Sequence, residues 1–238
     1  MIDFGIVEMH YYFDEQLKIA DNNLYQELDI PQKDFLLNVA EETYVKMIAF
    51  PLYSPALKFE ITDRTRNNIQ SIVVNSDQVE TVFERKDSSY LYKLPADCRY
   101  FLGGTAVANN GSCYKEIELF PVLHDNVSKA DYTIRSSFLW EEINYRFISE
   151  GILLEADDSF AITGVKPVYI KRTPYMHRAQ DYKGGTYKKL DGTTLVGRQD
   201  SMLPKNALLD IVHIAVLLLK ADLGMSVDGQ MLKLREIN

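Results

Sequence analysis

The stretch RYFLGGTAVANNGSCYKEIELFPV, residues 99–122, decides the fold class of this chain. Two β-rich runs, 99–108 and 113–122, are joined by Asn109-Asn110-Gly111. Because Asn and Gly tolerate the positive φ angles of tight hairpin turns, this stretch predicts two antiparallel strands.

Four other segments favour strands, and they alternate in character or are rich in β-branched and aromatic residues. They are residues 79–84, 90–92, 143–156 and 159–171. The last two are predicted to pair as a second hairpin across residues 157–159. Six strand candidates at short spacing predict an antiparallel β-sandwich or barrel-like sheet over residues 75–172.

Helices are predicted towards the start of the chain. Residues 6–24 repeat apolar side chains at three-to-four spacing, which indicates one amphipathic helix. A second helix is expected to begin after Asp29 and to end by Pro51, since Pro is tolerated in a first turn and breaks a helix elsewhere. Its apolar stripe is predicted to consist of Phe35, Leu36, Val39, Ala40, Met47 and Ile48. A short helix over residues 64–73 follows.

The strongest helical pattern lies near the other end, over residues 204–223. Its wide apolar band predicts burial against more than one element, and we expect it to pack on the N-terminal helices. The predicted class is therefore α+β. Residues 1–74 with 203–224 form a helical bundle from both chain ends, packed with the antiparallel β part, and residues 173–202 form a long extended loop.

Charge is distributed unevenly along the 238 residues, whose net charge is −8. Residues 1–63 carry twelve acidic and four basic side chains, whereas residues 164–199 carry eight basic and two acidic ones. An acidic body repels free nucleic acid, and a basic segment suits contact with an acidic neighbouring subunit. A solvated, Lys-rich loop is the alternative interpretation of the same segment.

Sequence patterns that carry enzymatic chemistry are not evident in this chain. The four histidines do not occur at paired helical spacing, and no phosphate-binding loop or serine-hydrolase elbow is present. We predict no catalytic, cofactor-binding or metal site.

Cys98 and Cys113 are expected to be reduced thiols. The longest apolar run, residues 214–219, is far short of the roughly 20 residues of a membrane span. The acidic start predicts no export signal.

Five short segments, in chain order, resemble a structural protein family of tailed phages of Bacteroidetes, the crAss-like group and related prophages. They are Phe35–Glu42, Phe59-Glu60 with Arg64–Val73, Leu94–Tyr100, Val168–Pro174, and Leu203-Pro204 with Asp210–Val216. Glu41 stands where the family motif has Gln, and Cys98 stands where Tyr is common. The resemblance spans residues 35–216.

The resemblance implies a ring-forming head–tail connector or tail protein, similar in architecture to the tail tubular adaptors of short-tailed phages. It implies a non-enzymatic virion subunit, assembled in the host cytoplasm into a ring below the portal, and twelve copies are expected in that ring. The expected partners are copies of itself, the portal and other ring or tail proteins, and double-stranded DNA held non-specifically in the channel. An acidic channel wall is expected to let DNA slide, because each phosphate contact would add friction. No membrane partner is expected.

Head-to-tail ring contacts need two different patches, and the acidic N-terminal and basic segments are a candidate pair. The residues predicted to make the inter-subunit contact share a basic or tyrosine side chain. They are Lys171, Arg172, Tyr175, Arg178, Tyr182, Lys183, Tyr187, Lys188 and Lys189.

Two other functions remain open from the sequence. One is a carbohydrate-binding or carbohydrate-active β-sandwich module of a tail or surface protein, with Trp140 and tyrosines as sugar platforms. The other is an enzyme with a cleft built from His124, Glu141 and Glu142.

Overall fold

The structure is a computed structural model, which describes residues 4–20, 28–50, 67–84, 89–122, 136–156 and 159–223. The chain is α+β. Within these ranges it has three α-helices, a nine-stranded mixed sheet and a two-stranded sheet. It divides into two compact units: the helical unit, Met1–Ile72 with Thr173–Asn238, and the sheet unit, Val73–Arg172. The segment 173–202 thus belongs to the helical unit.

The helical unit contains α1 (Ile6–Ala20), α2 (Ile30–Ala49) and α3 (Lys205–Asp222), and α3 contacts both of the others. The predicted bounds of α2 are confirmed. Asp29 precedes the first turn, where the Gln32 Oε1 accepts a hydrogen bond of 3.0 Å from the Asp29 backbone N–H. The prediction of α3 is confirmed to within a residue or two. Residues 21–24 of the first predicted helix lie outside the described residues.

The predicted apolar stripe of α2 is partly wrong. Phe35 is 46% exposed and Leu36 is half-buried. The buried apolar side chains of this helix are Leu37, Ala40, Tyr44, Val45, Met47 and Ile48. The buried face also includes Asp34 and Glu41, and polar partners on other segments of the unit make their burial possible.

The helix predicted over residues 64–73 ends earlier in the structure: within the described residues Asn67 is helical and residues 68–69 form a turn. Residues Gln70–Ile72 form a 3₁₀ turn, and Val73 begins the first strand; residues 64–66 lie outside the described ranges. The Ile72 side chain is fully buried, so this apolar residue packs into the core from a 3₁₀ turn rather than from an α-helix.

The sheet unit contains nine strands within the described residues. They are β1 (Val73–Asn75), β2 (Glu80–Thr81), β3 (Phe83–Glu84), β4 (Ser89–Tyr92), β5 (Cys98–Asn109), β6 (Tyr114–Pro121), β7 (Glu142–Ile148), β8 (Gly151–Glu155) and β9 (Ala161–Lys171). The strand order is β1-β9-β5-β6-β7-β8-β4-β3, and β2 pairs with β9.

The hairpin of residues 99–122 is confirmed. Strands β5 and β6 pair antiparallel, with Asn109 opposite Tyr114. At the turn, the Asn110 Oδ1 accepts a hydrogen bond of 3.0 Å from the Cys113 N–H, and Gly111 adopts a φ of 85°. The Asn side chain and the left-handed Gly therefore close the turn, as that sequence predicts.

The second predicted hairpin is wrong in its pairing. Residues 143–156 hold two strands, β7 and β8, which pair with each other around Gly151, while β9 pairs with β5. Gly151 has a φ of 145°, and a Cβ there would collide with the Tyr92 carbonyl oxygen of β4. The turn thus needs Gly for its backbone and for the close approach of β4.

The sheet is mixed rather than wholly antiparallel, because β6 and β7 pair in parallel from Glu118 opposite Glu142. A parallel pair requires a long connection, and residues 122–141 lie between the two strands in the sequence. The buried core of the sheet unit includes Ile117, Ile143, Ile152 and Leu154.

The segment 173–202 forms local structure in place of a long extended loop. It contains 3₁₀ turns at Ala179–Asp181 and Lys183–Gly185, and β10 (Thr186–Lys188) pairs antiparallel with β11 (Thr194–Val196).

Candidate functional site

A buried carboxylate, Asp34 on α2, organises the segment 173–202. Its side chain is fully buried, and its Oδ1 lies 2.7 Å from the His10 Nε2 of α1. Its Oδ2 accepts hydrogen bonds from the Arg178 backbone N–H, at 3.0 Å, and from the Tyr187 hydroxyl, at 2.5 Å. The Asp34 cluster, defined as these four residues, therefore joins two helices and β10.

Electrostatics in the Asp34 cluster favour a protonated phenol. Burial and the facing Asp34 carboxylate raise the pKa of Tyr187 far above its usual value, so the hydroxyl remains a donor. Burial, and then the charge of Asp34, raises the pKa of Tyr175 to about 12. Both tyrosines are thus neutral hydrogen-bonding groups at physiological pH.

The amide of Asn38, one helical turn after Asp34, holds the start of the segment. Its Nδ2 donates to the Met176 carbonyl at 2.8 Å, and its Oδ1 accepts from the Met176 N–H at 2.9 Å. The far end of the segment is held too. The Asp200 Oδ1 accepts from the Ile6 N–H at the start of α1 at 2.7 Å, and the Ser201 hydroxyl donates to the Glu41 Oε2 at 3.2 Å.

Sequence reasoning did not predict this polar face of α2. Asp34, Asn38 and Glu41 stand at positions i, i+4 and i+7, which lie on one side of a helix. In the sequence these three residues form a polar stripe beside the apolar stripe of α2. It carried no sign of burial, because the partners lie some 140 to 160 residues later in the chain.

Beside the Asp34 cluster lies a concave surface, which we call the groove, with a volume of about 620 Å³. Apolar and aromatic side chains form most of it: Pro31, Phe35, Leu36, Tyr175, Leu190 and Leu219. Lys188, Lys189 and Asp191 add charged groups to its lining. The Lys189 ammonium lies 5.1 Å from the Tyr175 ring centre and 3.0 Å from the Asp191 Oδ2.

The nine predicted contact residues are distributed over both units. Lys171 and Arg172 end the sheet unit, whereas the other seven belong to the helical unit. Tyr175, Tyr187, Lys188 and Lys189 come together in the lining of the groove.

The remaining three predicted contact residues, Arg178, Tyr182 and Lys183, have different surroundings. The Tyr182 ring packs edge-on against that of Tyr187, with ring centres 5.8 Å apart, and Arg178 pairs with Asp181. The Lys183 side chain is exposed. That the nine residues contact another subunit remains a prediction.

In the sheet unit, a turn over residues 137–142, the Trp turn, projects two large apolar side chains. Ser137 and Glu142 exchange backbone hydrogen bonds of 2.7 and 3.1 Å. Leu139 and Trp140 at its tip are 78% and 77% exposed. Glu141 adopts a left-handed φ of 59°, and its Oε1 accepts a hydrogen bond of 2.7 Å from the Lys115 Nζ.

The cleft considered for an enzyme is not assembled by the described residues. Glu141 and Glu142 are exposed neighbours on the Trp turn, and His124 lies outside the described ranges. Among the residues that the structure describes, no group of three or more His, Cys, Asp or Glu side chains is arranged to hold a metal ion. No helix in the described ranges is long and apolar enough to cross a bilayer.

Comparison with known proteins found no matching family model and no matching curated protein.

Proposed function

We propose that this chain is a structural virion protein, a subunit of an oligomeric ring in the head–tail connector or tail of a phage. The observation that carries the proposal is the set of five ordered segments that resemble the connector family of crAss-like and related phages. The proposed subunit surrounds the DNA channel, joins neighbouring rings and has no enzymatic activity.

Contacts between the resembling segments support this proposal. The Asp97 carbonyl, in the segment Leu94–Tyr100, accepts a 2.7 Å hydrogen bond from the Arg172 N–H, and the Asp97 Oδ1 accepts one of 3.2 Å from the Tyr169 hydroxyl. These residues join the segments Leu94–Tyr100 and Val168–Pro174. The segments on α2 and α3 also pack together. Segments that specify one fold are expected to contact each other in this way.

The finer architecture is part of the proposal. We take α1, α2 and α3 as the bundle of a ring subunit and the mixed sheet as its sandwich-like β part. Basic groups near the groove and the acidic N-terminal segment supply the opposite charges that a head-to-tail contact uses. The number of copies in the ring is proposed to be twelve, and the neighbours are the portal and other tail rings.

The experiment that tests the proposal is assembly of the virion with and without this chain. Deleting the gene should abolish DNA-filled, tailed particles, and a map of the complete particle should show the chain in a closed ring below the portal. Normal particles after deletion would refute the function. A ring lumen lined chiefly by Lys and Arg would refute the sliding role of the acidic wall.

Charge-reversal variants test which surface of the helical unit meets its neighbour. Lys183→Glu combined with Lys188→Glu should lower incorporation into particles, because both side chains are exposed in the basic segment. Lys93→Glu is the matched control, since Lys93 is an exposed base of the sheet unit. Equal incorporation of both variants would contradict the use of the basic segment.

One observation favours the alternative, a carbohydrate-binding module. Trp140 is 77% exposed, and exposed aromatic rings stack on the apolar faces of sugars. Because Trp140 is the sole Trp of the chain, titration with a panel of oligosaccharides should change its fluorescence if this function is correct. An unchanged emission spectrum throughout the panel would exclude a sugar site at Trp140.

A further inference from the structure

The Trp turn is a rigid convex feature. Besides the paired backbone bonds between Ser137 and Glu142, the Trp140 N–H donates to the Ser137 hydroxyl at 3.2 Å. The ion pair between Lys115 and Glu141 ties the turn to β6. A partner that receives Leu139 and Trp140 therefore meets side chains on a backbone that is already ordered, which reduces the entropy lost on binding.

Exposure of these two side chains is unusual for their residue types. Trp is highly buried on average in folded proteins, and Trp is among the residues that contribute most to protein interfaces. Adjacent exposed Leu and Trp side chains at a turn tip thus indicate a contact with another molecule. Two acidic residues, Glu141 and Glu142, follow them directly.

The groove of the helical unit has the complementary character. It is concave and mostly apolar, and its volume of about 620 Å³ is in the range of pockets that enclose large side chains or small ligands. Phe35 and Leu190 in its walls are 46% and 93% exposed, so its apolar surface is accessible. Lys188 is exposed and adds a positive charge to the lining, whereas Lys189 is paired there with Asp191.

We infer that the Trp turn of one copy of this chain inserts into the groove of a second copy. Leu139 and Trp140 project from the turn and meet the apolar walls of the concave groove, Glu141 keeps its ion pair with Lys115, and the exposed Glu142 meets Lys188. The contact joins two different patches, so it is head-to-tail, as a ring requires. The inference rests on the proposed function and adds one contact between ring subunits, made at the groove, to the opposite charges of the acidic N-terminal segment and the other basic residues of the segment 173–202.

Fluorescence of Trp140 tests the contact in the full chain without a label, because this is the sole Trp. In dilute solution its emission should be that of a solvated indole. As the protein concentration rises towards about 1 mM, the emission should shift to the blue together with an increase in mass by sedimentation. A Trp that is already blue-shifted in the monomer, or a solvated Trp in a chain that stays monomeric at about 1 mM, would overturn the inference.

A pair of complementary variants separates the two sides of the contact. Trp140→Ala removes the turn's anchor and keeps the groove, whereas Leu190→Glu keeps the turn and adds a charge to the groove. Each variant alone should associate about 30-fold more weakly than the parent chain. Mixed together, they should form a one-to-one heterodimer that grows no further, since each copy then has one working patch.

Matched controls distinguish loss of the contact from effects on folding and from non-specific association. Tyr114→Ala changes a residue of the sheet unit that is 70% exposed, and Val196→Glu changes one of equal exposure on β11, outside the groove lining. Both controls should associate as the parent chain does. Association of the mixed variants that is no stronger than that of each alone would overturn the inference.

Assembly of virions tests the proposed function separately from the contact between the Trp turn and the groove. If the chain forms rings in virions while Trp140→Ala and Leu190→Glu assemble normally, the contact is wrong and the proposed function stands. If the two variants complement each other in solution while virions assemble without the chain, the contact stands and the proposed function is wrong.

Discussion

The sheet unit and the segment 173–202 show two ways in which one chain orders β-structure. Strands β5 and β9 pair over most of their length and cover an apolar core that includes Phe101. Strands β10 and β11 have three residues each, and polar contacts centred on Asp34 and Asn38 hold the surrounding segment. The difference shows that a segment with few apolar residues can be ordered when one buried carboxylate accepts several hydrogen bonds from it.

The largest expected effect is on the apolar side of this comparison. Phe101→Ala removes a buried ring that packs edge-on against Tyr145, with ring centres 5.5 Å apart, and should lower the free energy of unfolding by about 3 to 5 kcal/mol. Urea unfolding measures the loss. Tyr114→Ala, at an exposed site of the same unit, should change it by less than about 0.5 kcal/mol.

The reactivity of the Cys98 thiol tests whether the loss of stability in Phe101→Ala affects the sheet unit. Burial raises the pKa of Cys98 to about 11, so its thiol should resist modification in the parent chain. In a Cys113→Ser background, Phe101→Ala should expose Cys98 to a thiol reagent, whereas Asp34→Ala should not. Exposure of Cys98 by the Asp34 variant would break the distinction between the two regions.

Asp34→Ala is expected to be nearly as costly, at about 3 kcal/mol or more. It leaves the His10 ring, the Arg178 N–H and the Tyr187 hydroxyl without their acceptor in a buried place. Limited proteolysis should then cut within residues 173–202. The control Glu42→Ala removes a 3.6 Å ion pair with Lys46, which is worth about 0.5 kcal/mol. A protease-resistant Asp34→Ala segment would show that apolar contacts order it instead.

Tyr187→Phe removes a single donor from Asp34 and should cost about 1.5 to 3 kcal/mol, because hydrogen bonds to charged groups are stronger than neutral ones. Tyr182→Phe is the matched control, since its ring packs on Tyr187 and should lose less than about 0.5 kcal/mol. Equal losses in the two variants would assign the stabilisation to ring packing rather than to the buried acid.

The smallest expected effect is the pH dependence of the β10–β11 hairpin. Hydrogen bonds from Thr193, with Lys189 beside it, lower the pKa of Asp191 to about 2. A carboxylate with a lowered folded-state pKa contributes stability above its unfolded-state pKa of about 4, and the contribution is lost as the pH falls through about 2. The Thr193 amide shift in NMR spectra should report this titration, and Asp191→Asn should abolish it. A midpoint near 4 would contradict the hydrogen-bonded geometry.

How much of the fold was predictable depends on the range of the interactions. The bounds of α2 and α3 follow from local signals, Pro31 and Pro51 for one and the long apolar band for the other. The Asn109-Asn110-Gly111 hairpin was equally local. The turn at Gly151 is not predicted, because residues 143–156 are rich in strand-favouring residues on both sides of it and read as one strand. The close approach of Tyr92, which requires Gly at this position, comes from a strand about sixty residues earlier.

The candidate site was predictable only in part. The sequence indicates the basic and tyrosine residues of 173–202 as contact residues, and four of them line the groove. The apolar wall at Phe35 was assigned to the core, since apolar periodicity does not distinguish a buried stripe from an exposed one. The sequence does not predict the burial of Asp34, because an acid on a helix is usually solvated.

The amino-acid sequence by itself determined the α+β class, the two long helices and the central hairpin, since each is specified by neighbours within a turn or two of the chain. Only the tertiary structure decided that β6 and β7 run in parallel, that residues 173–202 fold onto α2, and that a groove lies beside Asp34. The physical reason is that burying a carboxylate or pairing distant strands is favourable only once remote partners are in place. Those partners are not encoded by local spacing.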